Sequence, residues 1–174
     1  MSFPVKRVWL ATSVVLAWPM LTGAAGSQSD FEVRILAAHN QERAGLRLLP
    51  LRWSANLAAG ARTWSDALGE TGQFTHSPDR SGEELLGENI WCGDPSIFTP
   101  ESVVKLWVSE RQHFRGGVFS ASSRTGDGAD VAHYTQIIWR ATGEIGCALS
   151  RSATEEIVVC RYRKPGNVSG QQVY

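Results

Sequence analysis

The 174-residue sequence predicts an α+β domain. Stretches in its first two thirds carry apolar residues at helical steps, while its last third alternates β-branched runs with polar turns. The first 25 residues stand apart from both patterns and read as an export leader, so the fold is expected over residues 26–174 as one domain.

Lys6 and Arg7 form a short positive head, residues 8–20 are mainly apolar, and the small residues Gly23, Ala24 and Ala25 offer a cleavage point. Thirteen residues are too few to cross a bilayer core of about 30 Å, which sets an uncleaved anchor behind a cleaved leader. Cleavage after Ala25 removes Lys6 and Arg7, leaving 149 residues with 15 basic against 17 acidic side chains, a net charge of about −2. That balance gives no electrostatic reason to bind nucleic acid or an anionic membrane. The expected product is a secreted monomer, extracellular or periplasmic, with no transmembrane segment after leader cleavage.

The first helix is expected from Asp30 to Ala44. Ser29 and Glu32 form a capping box, Phe31, Ile35 and Ala38 fall on one face, and Gly45 supplies the stop. A second opens at the N-cap Ser54, carries Trp53, Leu57, Ala61, Trp64 and Leu68 as its stripe, and ends at Gly69. Core packing is the expected job of both tryptophans, ahead of a ligand groove. The third starts with Thr99 as N-cap and Pro100 in the first turn, and its stripe runs through Val103, Leu106, Trp107, Glu110 and Phe114. A carboxylate in that stripe needs partners if buried, because an isolated buried charge is costly; equally, Glu110 could reach solvent at the stripe's edge. Between the second and third helices, residues 70–100 show no helical period. Residues 115–130 are rich in glycine and small polar side chains and read as a loop.

His133-Tyr134-Thr135-Gln136-Ile137-Ile138-Trp139 is β-branched and aromatic, and is expected to be a strand with His133 at its open end. Two further strands follow at residues 145–149 and 157–162. Cys147 and Cys160 are symmetric about the intervening turn, so an antiparallel hairpin sets them opposite each other, within reach of a disulfide. Cys92 is then the spare thiol.

His76, Glu88, Glu110 and His133 are the candidates for chemistry. Two imidazoles and two carboxylates could hold a divalent cation such as zinc, or act as acid and base. Their spacing is dispersed, so a polar network tying segments together fits equally well. His39 and His113 are not excluded by spacing alone, and His113 reads most simply as a surface residue. Cys92 could act as a thiol nucleophile with a histidine, although a cysteine beside a tryptophan is more often a small buried hydrophobe. No phosphate-binding loop, dinucleotide fingerprint or nucleophile elbow is present. Asn167-Val168-Ser169 fits a glycosylation sequon.

Four motifs in order carry a resemblance: His39-Asn40-x-x-Arg43, Gly87-Glu88-Asn89-Ile90-Trp91, His133-Tyr134-Thr135-Gln136-x-x-Trp139, and Cys160-x-Tyr162 running to Pro165-Gly166-Asn167. The sequence resembles the CAP superfamily of cysteine-rich secretory proteins, antigen 5 and plant pathogenesis-related class 1 proteins, also called the SCP domain. The resemblance implies a three-layer α-β-α sandwich around a small, mainly antiparallel sheet. It also implies that His76, Glu88, Glu110 and His133 converge in one cleft able to bind zinc or another divalent cation, and that His39 and Asn40 are structural. Ala132 stands where the family usually has glycine, the C-terminal proline is shifted by one place, and few of the eukaryotic cysteines are present, so the chain resembles a minimal, bacterial-like member. The functional expectation is a secreted, non-catalytic domain binding a cation and a lipid or protein ligand nearby. A metal-dependent hydrolase and a purely structural module are the alternatives.

Overall fold

A computed structural model describes residues 30–78, 84–152 and 154–174. The expected leader and the expected N-cap Ser29 lie outside the described residues. Four helices and four strands follow in the order α1 (Asp30–Gly45), β1 (Arg52–Trp53), α2 (Ala55–Thr71), β2 (Gly87–Gly93), α3 (Pro100–Ser109), α4 (Ala132–Ile137), β3 (Glu144–Arg151) and β4 (Glu156–Arg163). The sheet order is β1-β3-β4-β2. β1 runs parallel to β3, and the other two pairings are antiparallel.

Strand alternation sorts the sheet into two faces. Ile145 and Cys147 of β3 and Val158, Cys160 and Tyr162 of β4 join a core with Ile35, Trp107, Tyr134, Ile137 and Trp139 from the α1, α3 and α4 layer. Ala148, Ile157, Val159 and Ile90 face the other way, onto Ala61 and Leu68 of α2. Gly146 lets α2 come close, because a Cβ there would collide with the backbone of Ser54, Leu57 and Ala58. This is the expected α-β-α sandwich. Cys147 pairs with Cys160 in the β3–β4 register, and the disulfide closes with the two Cα atoms 4.1 Å apart.

The helix starts follow their caps. The Ser54 hydroxyl accepts from Leu57 N, and Thr99 and Ser102 form a reciprocal capping box at α3. The ends differ from expectation. α2 runs past Gly69 to Thr71 and is closed by Gly72 in the left-handed conformation (φ 66°). α3 stops at Ser109, and residues Glu110–His113 tighten into a 3₁₀ turn, so Phe114 is not part of its stripe. Leu106, expected in that stripe, is 55% exposed.

The largest correction is at residues 133–139, expected as a strand and found as α4 with its C-terminal turn. Tyr134, Ile137 and Ile138 fall at helical steps and are all buried. Tertiary contacts hold both helix ends against local propensity. Glu110 Oε2 accepts from Tyr134 N, and the Arg43 guanidinium donates to the carbonyls of Ile137 (2.8 Å) and Trp139 (2.9 Å). The segment reads as a strand because β-branched and aromatic residues also suit a short helix buried on most sides. Among the described residues no helix is long and apolar enough to cross a membrane.

Candidate functional site

Glu88 lies on β2, an edge strand of the sheet. Its neighbours Gly87 and Asn89 face α4: Gly87 packs against the Gln136 amide, and Asn89 Nδ2 donates to the His133 carbonyl at 3.1 Å. Alternation therefore turns Glu88 onto the α2 face, opposite Arg161 in the register. Four donors meet its carboxylate: His76 Nδ1 (2.9 Å), Ser77 N (2.9 Å), Ser77 Oγ (2.7 Å) and Arg161 Nε (3.4 Å). Trp64 Nε1 donates to the Thr75 carbonyl, holding the segment that carries His76 against α2. Burial pushes Glu88 up, but the hydrogen bonds from His76 and Ser77, with the Arg161 charge, outweigh it and leave the carboxyl below its ordinary range. The same hydrogen bond to Glu88 raises His76, against partial desolvation.

The second pair joins the turn after α3 to the start of α4. Glu110 Oε1 accepts from His133 Nδ1 at 2.6 Å, while Oε2 accepts from Tyr134 N at 3.0 Å. Val131, at the N-cap of α4, makes no side-chain cap hydrogen bond, so Glu110 does that work from outside the helix. The His133 ring stacks on Trp107, with centroids 5.9 Å apart and planes 9° from parallel.

The four candidates thus form two His–Glu pairs, one with Glu88 on β2 and one with His133 on α4, whose carbonyl accepts from Asn89 of β2. A carboxylate only accepts, so each Nδ1 carries its proton and each Nε2 of a neutral ring offers a lone pair. Among the described residues no three His, Cys, Asp or Glu side chains gather as a metal-holding group.

The remaining motif residues stay away from these pairs or support them. His39 is fully buried: Nδ1 donates to the Ile35 carbonyl (2.7 Å), which leaves Nε2 to accept from the Tyr162 hydroxyl (2.9 Å). Burial, aided by the Arg43 charge, lowers it to about 4. The Asn40 side chain brackets Leu51, donating to its carbonyl and accepting from its N–H. Arg43 also donates to the carbonyls of Leu49 and Thr142, and burial lowers it to about 10. Gln136 accepts from Gly166 N and donates to Thr142 Oγ1. Trp139 is buried in the core.

Asn167 has a left-handed backbone (φ 59°), accepts from Thr135 Oγ1 at 2.6 Å and donates Nδ2 to the Ala132 carbonyl at 2.8 Å. The amide nitrogen that a glycan would need is therefore committed inside the fold. Cys92 is a free, partly buried thiol pushed up by burial and by Glu155. His113 is partly buried in the 3₁₀ turn after α3.

Two side chains escaped the sequence reading. Arg161 and Ser77 complete the Glu88 shell; Ser77 had a signal in its position beside His76, whereas Arg161 becomes visible only through the β2–β4 register.

Comparison with known proteins accords with this architecture. Residues 36–162 match the model of the CAP cysteine-rich secretory protein family. Pathogenesis-related protein 1C of Nicotiana tabacum is 33% identical over 152 residues, covering 87% of this chain and 83% of the relative. Pathogenesis-related protein 1 of Arabidopsis thaliana is 32% identical over 152 residues, covering 87% and 84%. The crystal structure of NaASP2 with Zn2+ superposes with a TM-score of 0.69 at 21% identity, covering 86% of this chain and 88% of that one. Venom allergen-like protein 4 of Schistosoma mansoni follows at 0.64 and 23%, covering 84% and 95%. The chain belongs to the CAP family and is a CAP-domain protein of the pathogenesis-related kind. Its disulfide is consistent with an extracellular setting.

Proposed function

We propose that this is an exported, non-catalytic CAP domain whose two cleft imidazoles hold a divalent cation, beside a surface that takes a lipid or protein ligand. The observation that carries this reading is the use of the imidazole nitrogens. His76 and His133 each spend Nδ1 on a carboxylate and keep Nε2 unengaged among the described residues. A carboxylate behind a histidine is the arrangement that orients a metal-binding imidazole and raises its basicity. The carboxylates are already engaged, so the donor set fits a cation held through His76 and His133 with Glu88 and Glu110 behind them. A bound cation would supply a positive charge and open coordination positions for a ligand. A solved relative is described as a structure with Zn2+.

The non-catalytic reading rests on how the neighbouring groups are occupied. The Ser77 hydroxyl donates to Glu88, and Glu88 takes four donors, which leaves it poorly placed to serve as a base. Export is supported by the leader expected at residues 1–25 and by the disulfide.

One observation favours a second, structural reading. Glu88 fastens residues 76–77 to β2, and Glu110 caps α4, so both pairs also cross-link the fold. Zinc titration by calorimetry, beside the His76→Ala/His133→Ala double variant, separates the two. One-to-one binding lost in the double variant is the expected result. Absence of binding by the unaltered protein, with His133→Ala lowering Tm equally with and without zinc, would leave the structural reading alone.

A further inference from the structure

The outer edge of β3 is only partly covered. β1 pairs with Glu144 and Ile145, and the chain then leaves at Ser54 to start α2. Residues 146–151 therefore have β4 on one side and no strand on the other among the described residues. Register decides which backbone groups face that gap. Ser54 N donates to the Ile145 carbonyl at 2.8 Å, so Ile145 turns its backbone toward β1. By the two-residue period Cys147 and Leu149 point the same way. Two further contacts agree. The Cys147 and Cys160 Cα atoms stand 4.1 Å apart, the close spacing of a pair that exchanges no backbone hydrogen bonds. The Leu149 carbonyl accepts from Arg62 Nη1 of α2. That leaves the Cys147 N–H and C=O and the Leu149 N–H without a partner among the described residues, although Cys147 is only 2% exposed. Backbone groups so shielded are nearly always paired, and an open strand edge is a template for another strand. A cavity of about 350 Å³ lies there, bordered by Trp53, Ala55, Ala58, Ala59, Arg62 and Cys147.

We propose that this gap takes the C-terminal end of an extended peptide as an added parallel strand, continuing the line of β1. Three peptide residues satisfy all the open groups. The first offers its carbonyl to the Cys147 N–H, and the third donates its N–H to the Cys147 carbonyl. The terminal carboxylate of the third then accepts from the Leu149 N–H. This direction sets the carboxylate beside Arg62, which already reaches the Leu149 carbonyl and Ser150 Oγ through Nη1. Its Nε and Nη2 have no hydrogen-bond partner among the described residues, and a guanidinium fork matches a carboxylate. Asp66 stands 3.9 Å from Nη1 in a half-exposed ion pair, which leaves most of the Arg62 charge available. The α2 wall is built from alanines, so the side chains facing it are small. Glu32 also borders the cavity, and the two signs of charge favour a peptide end over an inorganic anion. β3 and β2 lie toward opposite edges of the sheet, so this inference goes beyond the cation reading and does not depend on it.

The test is an NMR titration of the isotope-labelled protein with acetyl-Ala-Val-Ala-Val, read at the amide signals of Cys147 and Leu149. Saturable shifts at both amides are expected, with the free acid binding about tenfold or more tighter than its C-terminal amide. The same peptide N-methylated at its last residue loses the N–H that Cys147 needs, and should weaken about as much. Arg62→Met should bring the free acid down to the level of the amide, and His76→Ala/His133→Ala should leave both affinities unchanged. No saturable binding, unmoved Cys147 and Leu149 signals at saturation, or equal affinity of acid and amide would overturn the site. Should Arg62→Met not fold, Ala59→Leu narrows the cavity from the exposed side of α2, and undiminished binding there overturns it equally. Zinc binding that persists while the peptide fails removes this site and leaves the proposed function standing.

Discussion

His39 sits sealed in the α1 layer with both ring nitrogens bonded to uncharged partners, whereas His76 stands at the edge of β2 with one nitrogen on a carboxylate and the other without a partner among the described residues. The first is lowered to about 4 by burial; the second is raised by Glu88. Arg43 belongs with His39: a buried cation answered by backbone carbonyls at the end of α4, with no carboxylate among its hydrogen-bond partners in the described residues. The difference teaches where this molecule keeps its stability and where it keeps free chemical capacity. Saturated polar groups in the interior hold α1, α4 and the sheet in one arrangement. Half-satisfied ones at the strand edge keep a ring nitrogen with no hydrogen-bond partner among the described residues.

Breaking the sealed region should cost most. Arg43→Met removes every guanidinium donor from four carbonyls, three of them in buried hydrogen bonds, and should destabilise by about 4 kcal/mol or more, read from chemical denaturation. A loss below about 1 kcal/mol would mean those carbonyls find water instead.

Acid should open the same region. His39 is neutral when folded, with its pKa lowered from 6.5 to about 4, so the unfolded chain binds the extra proton first. Stability is then full above about 6.5 and falls as pH drops toward 4, by about 3 kcal/mol in all. His39→Gln should flatten that slope in a denaturation series across pH, and an unchanged slope would place the acid sensitivity elsewhere.

The edge region should show a different profile. Glu88→Gln weakens the shell shared with His76, Ser77 and Arg161 and should destabilise by about 1–2 kcal/mol. Glu88, lowered, stabilises fully above its ordinary 4.5 and less as pH falls through its folded value. His76, raised, stabilises fully below its ordinary 6.5 and less as pH rises through its folded value. The gap between unaltered and Glu88→Gln protein should therefore be widest between pH 4.5 and 6.5. A gap constant from pH 4 to 9 would show that charge has no part in it.

The smallest effect on folding is expected from His76→Ala, because the ring is 60% exposed. Stability should change by less than about 1 kcal/mol, while zinc binding weakens at least tenfold in calorimetry. A stability loss as large as that of Glu88→Gln, with zinc affinity unchanged, would move His76 to the structural side of the comparison.

By itself the sequence determined the elements with strong local signals. The Thr99-Pro100 start of α3, the Ser54 cap, the apolar steps of α1 and α2, and the cysteine symmetry of the β3–β4 hairpin all act over a few residues. Motif order also brought out the four candidate side chains. Tertiary structure alone decided three things. The 133–139 segment became helical because Glu110 and Arg43, bonded to backbone groups 24 and 94 residues away, satisfy its end groups. α2 continued past Gly69, since its buried face extends to Leu68 and a left-handed Gly72 closes the last turn. The candidate residues paired as His76 with Glu88 and His133 with Glu110, because the fold brings together segments 12 and 23 residues apart in the chain. Those outcomes depend on strand register and on long-range hydrogen bonds, and no window of neighbouring residues contains either.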